Sequence, residues 1–282
     1  MATTSPVLAA VLSFGDRISC GDYRVLSRFD KAINLLSGGR LACIVLDQIG
    51  GGPLNIVLSG PVLPPISRLQ VSADCCVLED MVLPRNPVFD SSLPAGAVEP
   101  ALLEKNLRAL ERILINTAHP KSLAFLLDAG RCGAMSSGFE RALVGRFQAC
   151  ARAFQDDDLA TGAKAARGAG FGLTPSGDDL LCGYLWGLHF LKGSGFPGLA
   201  PKIEEICRWA QSSNPLSQAF LSCAAQGRCF QRLRDLLAAL SQDDPALLAA
   251  RARGLLSAGE TSGADTCVGL LMALRKEGVL WS

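Results

Sequence analysis

The sequence predicts an α+β protein, with a small β-rich N-terminal domain over residues 1–98 followed by a larger all-helical domain over residues 99–282. Short apolar runs broken by glycine and proline fill the first part of the chain, and such runs are typical of strands. A proline-dotted stretch then marks the boundary, because proline neither continues a ladder nor sits inside a long helix. From Ala101 onward the apolar residues recur with the helical period.

Four strand segments are predicted before the proline-dotted stretch. Residues 41–46 and 54–58 are apolar runs separated by a glycine-rich segment, a pattern that indicates a hairpin or a tight meander. Residues 75–78 and 81–83 form a further pair. The three glycines at 50–52 lack the spacing of a phosphate-binding loop, so we interpret them as a flexible hairpin tip.

The second part of the chain shows helical patterns throughout. Residues 102–114 carry one apolar stripe with charged residues mostly outside it. Further segments follow, with glycine and proline in the gaps between them. The predicted segments are 122–129, 138–153, 158–167, 177–191, 201–211, 216–226, 230–240, 245–256 and 263–276.

Composition and charge exclude several classes of protein. Apolar residues make up 49% of the chain and charged residues only 19%, so the chain should fold around a large core. Lys plus Arg number 27 against 26 Asp plus Glu, which argues against a nucleic-acid partner. Apolar runs such as 180–191 are too short to span a membrane. Residues 1–17 lack the basic start of a secretory signal, so we expect a cytoplasmic protein.

Cysteine and histidine do not form a recognisable site. None of the 11 cysteines has the CxxC spacing of zinc ligands, and we interpret most of them as small core residues. His189 is interpreted as a buried histidine that satisfies a neighbour, and His119 as a turn residue. The three acids at 156–158 open a helix and are interpreted as a solvated cap.

One motif occurs twice in the helical part. Both copies have the form Ser-Gly-x-Asp-x-x-x-Gly, with the first in a longer segment, 172–183, and the second in 261–269. The matching positions are Ser176 with Ser262, Gly177 with Gly263, Asp179 with Asp265, and Gly183 with Gly269. A weaker copy, Ser137 to Glu140, keeps only the first half and is interpreted as a capping box.

Two interpretations of the double motif stay open. The serine and the acid can simply cap a helix, but capping does not require glycine at the first helical position, where it lowers helix propensity. Glycine there allows a ligand or another backbone to approach. If the small-residue faces pack together, two helix N-termini converge and can hold a small anion. The nearby carboxylates favour a ligand that has an anionic end and an amide or amine end.

These residues resemble a known family. Segment 172–183 followed by an apolar helix, the second motif near the C-terminus and the block 29–35 are similar to the AllH-type family. The resemblance implies a subunit of oxamate carbamoyltransferase in allantoin degradation, although other members are described as carboxylase-like. It implies transfer of a carbamoyl group between oxamate or oxalurate and phosphate, with other carbamoyltransferase subunits as partners.

Spacing and resemblance together suggest roles for the motif residues. The carboxyls of Asp179 and Asp265 are the predicted catalytic groups, which orient the NH2 of the carbamoyl group or of oxamate. A small anionic or amide substrate is expected to be bound by the remaining motif residues, whose backbone amides and hydroxyls supply hydrogen-bond donors. These are Thr174, Ser176, Gly177, Asp178, Thr261, Ser262 and Gly263. No organic cofactor is expected, and Mg²⁺ between the two carboxylates is left open.

Two other functions are consistent with the same residues. The chain can be a non-catalytic ligand-binding or assembly subunit that needs partner proteins for any chemistry. It can also keep the fold and act on another substrate, as a carboxylase-like protein does. Contact between the two motif helices is the expectation on which the shared site depends, and it requires Gly183 and Gly269 to lie together.

Overall fold

The computed structural model describes residues 10–278. The chain divides into two compact units, Met1–Ser91 and Ser92–Ser282. The start of the chain, on which the expectation of no secretory signal partly rests, lies outside the described residues. The predicted domain boundary near residue 98 falls a few residues beyond the observed division and stays a prediction.

The first unit is built around one nine-stranded mixed sheet, in the order β8-β7-β6-β2-β3-β4-β5-β1-β9. Buried apolar residues on these strands, among them Ile33, Ile44 and Leu69, form its core. The strands are β1 (Val11–Gly15), β2 (Gly21–Arg28), β3 (Ala32–Ser37), β4 (Arg40–Leu46), β5 (Asn55–Leu58), β6 (Arg68–Val71), β7 (Cys75–Leu78), β8 (Met81–Pro84) and β9 (Val88–Phe89).

The unit is β-rich, but the prediction of a hairpin or tight meander over residues 41–58 is wrong, because the sheet is mixed. Strands β4 and β5 pair in parallel, with Cys43 opposite Asn55, and β1 and β9 are also parallel. The glycines at 50–52 are no flexible tip, because Gly51 is buried and a Cβ there would lie 2.4 Å from the ring of Phe89. The glycine-rich segment instead returns the chain to the start of β4, so that β5 runs in the same direction beside it.

The second unit consists mainly of helices. Its helices are α1 (Pro100–Thr117), α2 (Gly138–Gln155), α3 (Leu159–Ala166), α4 (Ser176–Gly193), α5 (Leu199–Trp209), α6 (Pro215–Ala225), α7 (Gln231–Leu240), α8 (Pro245–Leu256) and α9 (Ser262–Gly278). The description "all-helical" needs correction, because Ser92 and Arg228 form an isolated β-bridge. Segment 122–129 is also not an α-helix, because Leu123–Leu126 forms a short 3-10 helix there and a second one, Ala129–Ala134, begins at its end. The whole chain is therefore α+β, a mixed sheet followed by helices.

Local sequence explains where several helices begin. Glu99, Asn214 and Asp244 are N-caps whose side chains accept backbone N–H groups, and each is followed by proline at the first helical position. Helix α4 is buried on nearly all sides, as an apolar run without a polar face requires. Among residues 10–278, no helix has the length and apolar character that crossing a membrane requires.

Candidate functional site

The two motif helices, α4 and α9, cross in direct contact. A Cβ at Gly183 would lie 2.0 Å from Thr266 O, and a Cβ at Gly269 would lie 2.0 Å from Leu180 O. Each glycine therefore packs against the backbone of the other helix, in a nearly symmetric arrangement. The expected contact between the motif helices is confirmed, and their N-terminal ends meet as the shared site requires.

The glycines at the two helix starts also pack against backbone. A Cβ at Gly177 would lie 1.8 Å from Ala166 O at the end of α3. A Cβ at Gly263 would lie 2.1 Å from Leu255 O near the end of α8. The pairs α3–α4 and α8–α9 thus repeat one arrangement, in which glycine at the start of the second helix lets the first helix approach closely.

The amides of these glycines are already hydrogen-bonded within the protein. Gly177 N donates to Ala169 O at 2.8 Å, and Gly263 N donates to Ala258 O at 3.0 Å. In this conformation, these two amides do not face a ligand as anion donors. Glycine at a helix start was expected to allow the approach of a ligand or of another backbone. At Gly177 and Gly263 it allows the approach of another backbone.

Asp179 lies among hydroxyl groups of both motifs. Thr174 Oγ1 donates to Asp179 Oδ2 at 3.0 Å and lies 3.3 Å from Ser262 Oγ. The Ser262 hydroxyl also interacts with the Asp179 carboxyl. Asp179 keeps part of its surface exposed. As a residue, Asp179 is therefore less completely buried than Asp265.

Asp265 is the matching carboxyl of the second motif, and it is fully buried. Leu123 N donates to its Oδ1 at 2.7 Å. The hydroxyls of Ser176 and Thr261 lie beside the carboxyl, but Asp265 Oδ2 has no hydrogen-bond partner among the described residues. An unpaired buried polar oxygen is costly, and this cost is smaller when the carboxyl is protonated than when it is charged.

Burial changes the protonation of both carboxyls. It raises the pKa of Asp265 to about 7, against the opposing effect of the Leu123 amide and the Ser176 and Thr261 hydroxyls. Burial, followed by the nearby charge of Asp265, raises the pKa of Asp179 well above its usual range. Both carboxyls therefore take up a proton at a higher pH than an ordinary aspartate does.

Asp178 hydrogen-bonds to different partners from those of Asp179. Its Oδ1 accepts from Gly168 N at 2.7 Å, and its Oδ2 accepts from Ser212 Oγ at 2.9 Å. Asn214 Nδ2 donates to Leu173 O at 2.8 Å in the same loop. These bonds fasten the loop that precedes α4, and the predicted contact of Asp178 with substrate stays a prediction.

The weaker third motif copy lies beside the same site. Ser137 and Glu140 form the predicted capping box at the start of α2, which is confirmed. Glu140 also forms a 2.7 Å ion pair with Lys121. The Lys121 ammonium and the Ser137 donors lower the pKa of Glu140 to about 2. On the other side, Phe139 packs edge-on against Phe171 of the loop before α4, with 5.2 Å between ring centroids.

Sequence patterns gave no sign of the loop that covers Asp265. Arg131 donates to the carbonyls of Ala118 and His119 at 2.6 and 3.1 Å and fixes the end of α1. Lys121 N donates to His119 Nδ1 at 3.2 Å, which supports the turn predicted for that histidine. The chain then reaches Leu123, whose amide binds Asp265. The only signal in the sequence is a proline after His119, and it indicates a turn but no site.

The residues that were interpreted as structural, His189 and the acids at 156–158, include three whose side chains have partners within the protein. His189 Nε2 lies 3.0 Å from Ala225 O, and burial lowers the pKa of this partly buried histidine. Asp158 caps α3 through Thr161 N, as predicted, whereas Asp157 forms a 2.7 Å ion pair with Lys202. In the part of the chain that the structure describes, no three His, Cys, Asp or Glu side chains are grouped as metal ligands. Magnesium between the motif carboxylates stays a prediction.

Fold and site together define an α+β protein with a paired-carboxyl site at the ends of two crossed helices. Residues 167–274 match the family model described as oxamate carbamoyltransferase subunit AllH. The matched segment is somewhat more than a third of the chain and includes both motif helices, so the resemblance is confirmed there. No curated protein and no solved structure matched the chain.

Proposed function

We propose that this chain is the amide-binding subunit of an oxamate-type carbamoyltransferase in allantoin or purine nitrogen catabolism. The observation that carries the proposal is the pair of carboxyls at the helix crossing, each beside a serine of the other motif. The match of residues 167–274 to the oxamate carbamoyltransferase subunit family supports it, because that segment includes both carboxyls.

The chemistry of the pair suits a primary amide. An amide offers N–H donors and a carbonyl acceptor, and a carboxylate beside a carboxylic acid offers the complementary acceptor and donor. In the proposal, Asp179 binds the NH2 group, since it is the less completely buried of the two residues. The hydroxyls of Thr174 and Ser262, which hydrogen-bond to the Asp179 carboxyl, hold that group in place. Asp265 is a positioning residue, because it is fully buried behind Ser176.

The transfer step needs one proton at a defined atom. In the direction that consumes oxalurate, a phosphate oxygen forms a bond to the carbamoyl carbon, and the bond from that carbon to the oxamate nitrogen breaks. The nitrogen takes a proton, and oxamate and carbamoyl phosphate leave. In the proposal Asp179 carries that proton while oxalurate is bound, and after transfer it is the carboxylate that accepts from the NH2 group of oxamate; its raised pKa favours the protonated form more than in an ordinary aspartate.

Phosphate binding is the part of the reaction that the glycine amides of this chain do not support. Because Gly177 N and Gly263 N bind carbonyls of their own unit, they do not serve as the expected phosphate donors. The proposal therefore assigns the phosphate contacts to a second carbamoyltransferase subunit. The chain on its own is expected to bind oxamate without turnover, which is the non-catalytic alternative for the isolated subunit.

Ligand binding tests the proposal directly. Oxamate or oxalurate at about 100 times its dissociation constant should stabilise the folded chain by roughly 2.7 kcal/mol, visible as a higher Tm in a thermal-shift titration. Asp179→Asn should weaken oxamate binding by about tenfold or more, because the amide nitrogen no longer meets a carboxylate.

Asp243→Asn is the matched control, because Asp243 is exposed and pairs only with the exposed Lys105 among described residues. This variant should bind oxamate like the wild type. If the wild-type Tm is unchanged by oxamate, oxalurate and carbamoyl phosphate, or if the Asp179 and Asp243 variants bind equally well, the proposed function is wrong.

A further inference from the structure

Large apolar side chains are almost all buried in the second unit, and the exceptions are close together in the chain or in contact. Among the described residues of this unit, 92–278, the exposed ones are Phe139, Phe171 and Leu173, at 59%, 45% and 44%. Phe139 and Phe171 form the edge-on pair with 5.2 Å between ring centroids, and Leu173 follows in the same loop. Exposed apolar surface gathered in one place is typical of an interaction site.

Arginines extend this surface along α2. Two helical turns beyond Phe139, Arg146 Nε donates to Ala165 O at 2.6 Å and Arg146 Nη2 to Arg167 O at 3.3 Å. The loop after α3 therefore contacts α2 at two places, through Arg146 at one end and through Phe139 and Phe171 at the other. The aromatic–arginine surface is made of Phe139, Arg146, Arg167, Phe171 and Leu173.

The exposed charges in this region all have one sign. Helix α2 and the loop 167–175 expose four arginines, and the one acid in these segments, Glu140, is buried. None of the four is paired with a carboxylate among residues 10–278, and the bonds of Arg141 and Arg146 go to backbone carbonyls. Aromatic residues and arginine without exposed acids or lysine are the composition of a protein–protein interface. The four exposed arginines are Arg141, Arg146, Arg152 and Arg167.

The charge of the surface indicates which partner fits it. Two copies placed face to face would bring arginines opposite arginines, and like charges oppose association. A different chain, with carboxylates opposite the arginines and apolar side chains opposite the phenylalanines, would match both charge and polarity. The surface is also continuous with the paired-carboxyl site, because Thr174, the residue after Leu173, donates to Asp179.

We propose that the aromatic–arginine surface is the docking site of a second carbamoyltransferase subunit that presents an acidic, partly apolar face. This inference rests on the proposed function, in which that subunit supplies the phosphate contacts. Phe139 and Phe171 are the apolar centre of the interface, and the arginines form its charged rim. A subunit docked there lies beside Thr174 and therefore next to the carboxyl that binds the amide.

Co-expression with the remaining subunits of the oxamate carbamoyltransferase from the same source tests the docking. The tagged wild-type chain should co-purify with them and elute as one complex in size-exclusion chromatography. Phe139→Ser and Arg167→Glu should each weaken the complex by about tenfold or more, since one removes an apolar anchor and the other reverses a rim charge. Higher salt should weaken the wild-type complex.

Arg253→Glu is the matched control, because Arg253 is an exposed arginine of α8 with no carboxylate partner in the described part of the chain. This variant should assemble like the wild type. All three variants should bind oxamate like the wild type in the thermal-shift titration, which also shows that they are folded.

Several results would overturn the docking site. They are a wild-type chain that forms no complex, surface variants that assemble like the wild type, and an Arg253→Glu variant that loses the complex equally. A wild-type dimer that forms without other subunits and is lost in Phe139→Ser would assign the surface to a second copy instead. In each case retained oxamate binding leaves the proposed function standing, whereas a wild type that does not bind oxamate contradicts that function itself.

Discussion

Replacement of Gly183 or Gly269 by alanine is expected to lower the free energy of unfolding of the helical unit by about 3 kcal/mol. In both variants the new methyl group would lie 2.0 Å from a carbonyl oxygen of the facing helix. That oxygen belongs to a buried backbone, so relief requires the helices to separate and lose packing along α4 and α9. Urea denaturation followed by circular dichroism measures the loss.

Gly145 in α2 and Gly254 in α8 supply matched controls. A Cβ at either position meets nothing within 4 Å. Alanine there should leave stability unchanged or raise it by up to about 1 kcal/mol, because it favours the helix. If Gly183→Ala and Gly269→Ala are as stable as these controls, the helices do not cross at the two glycines, and the shared site is lost with them.

Asp265 is expected to make the protein less stable as the pH rises. Burial raises its pKa in the folded protein from 3.8 to about 7. Between these values the folded state binds more protons than the unfolded state, so the free energy of unfolding falls with increasing pH and levels off above pH 7. From about pH 5 to about pH 8 this one group should cost roughly 3 kcal/mol.

Asp265→Asn should remove this part of the pH dependence. The asparagine has the same shape, and its oxygen can still accept from Leu123 N. Chemical denaturation of wild type and variant at several pH values between 5 and 8 gives the difference in slope. Circular dichroism at pH 5 checks that the variant is folded. Parallel stability curves for the two proteins would show that the carboxyl is ionised at neutral pH, contrary to the protonation inferred here.

Much of the helical unit could be predicted from periodicity, whereas the sheet could not. Helices such as α7 and α8 lie where the apolar spacing predicted them. Strands β4 and β5 were also predicted, but their parallel pairing was not. A pattern of apolar residues reports which face of a strand is buried and carries no information on its neighbour. The glycine-rich segment between them had the composition of a hairpin turn, and burial against Phe89 decided otherwise.

In the site, too, the sequence predicted the elements that meet but not the contacts of individual residues. The double motif predicted that α4 and α9 touch, because glycine at matching positions creates two faces that can approach closely. It did not predict that Leu123, which is 142 residues from Asp265, supplies an amide to that carboxyl. It also did not predict that the glycine amides are occupied, since their partners, Ala169 and Ala258, lie in irregular loops.

The sequence by itself determined the crossing of the two motif helices and the presence of two acids at their starts. Both features are local, because helical spacing places glycine, serine and aspartate on one face. The tertiary structure alone decided that Asp265 is fully buried while the Asp179 residue keeps part of its surface. That outcome depends on segments distant in sequence, such as the loop with Lys121 and Leu123, which remove water from Asp265 and leave Asp179 partly exposed. Loss of water is what raises the pKa of a buried acid, and no local pattern encodes it.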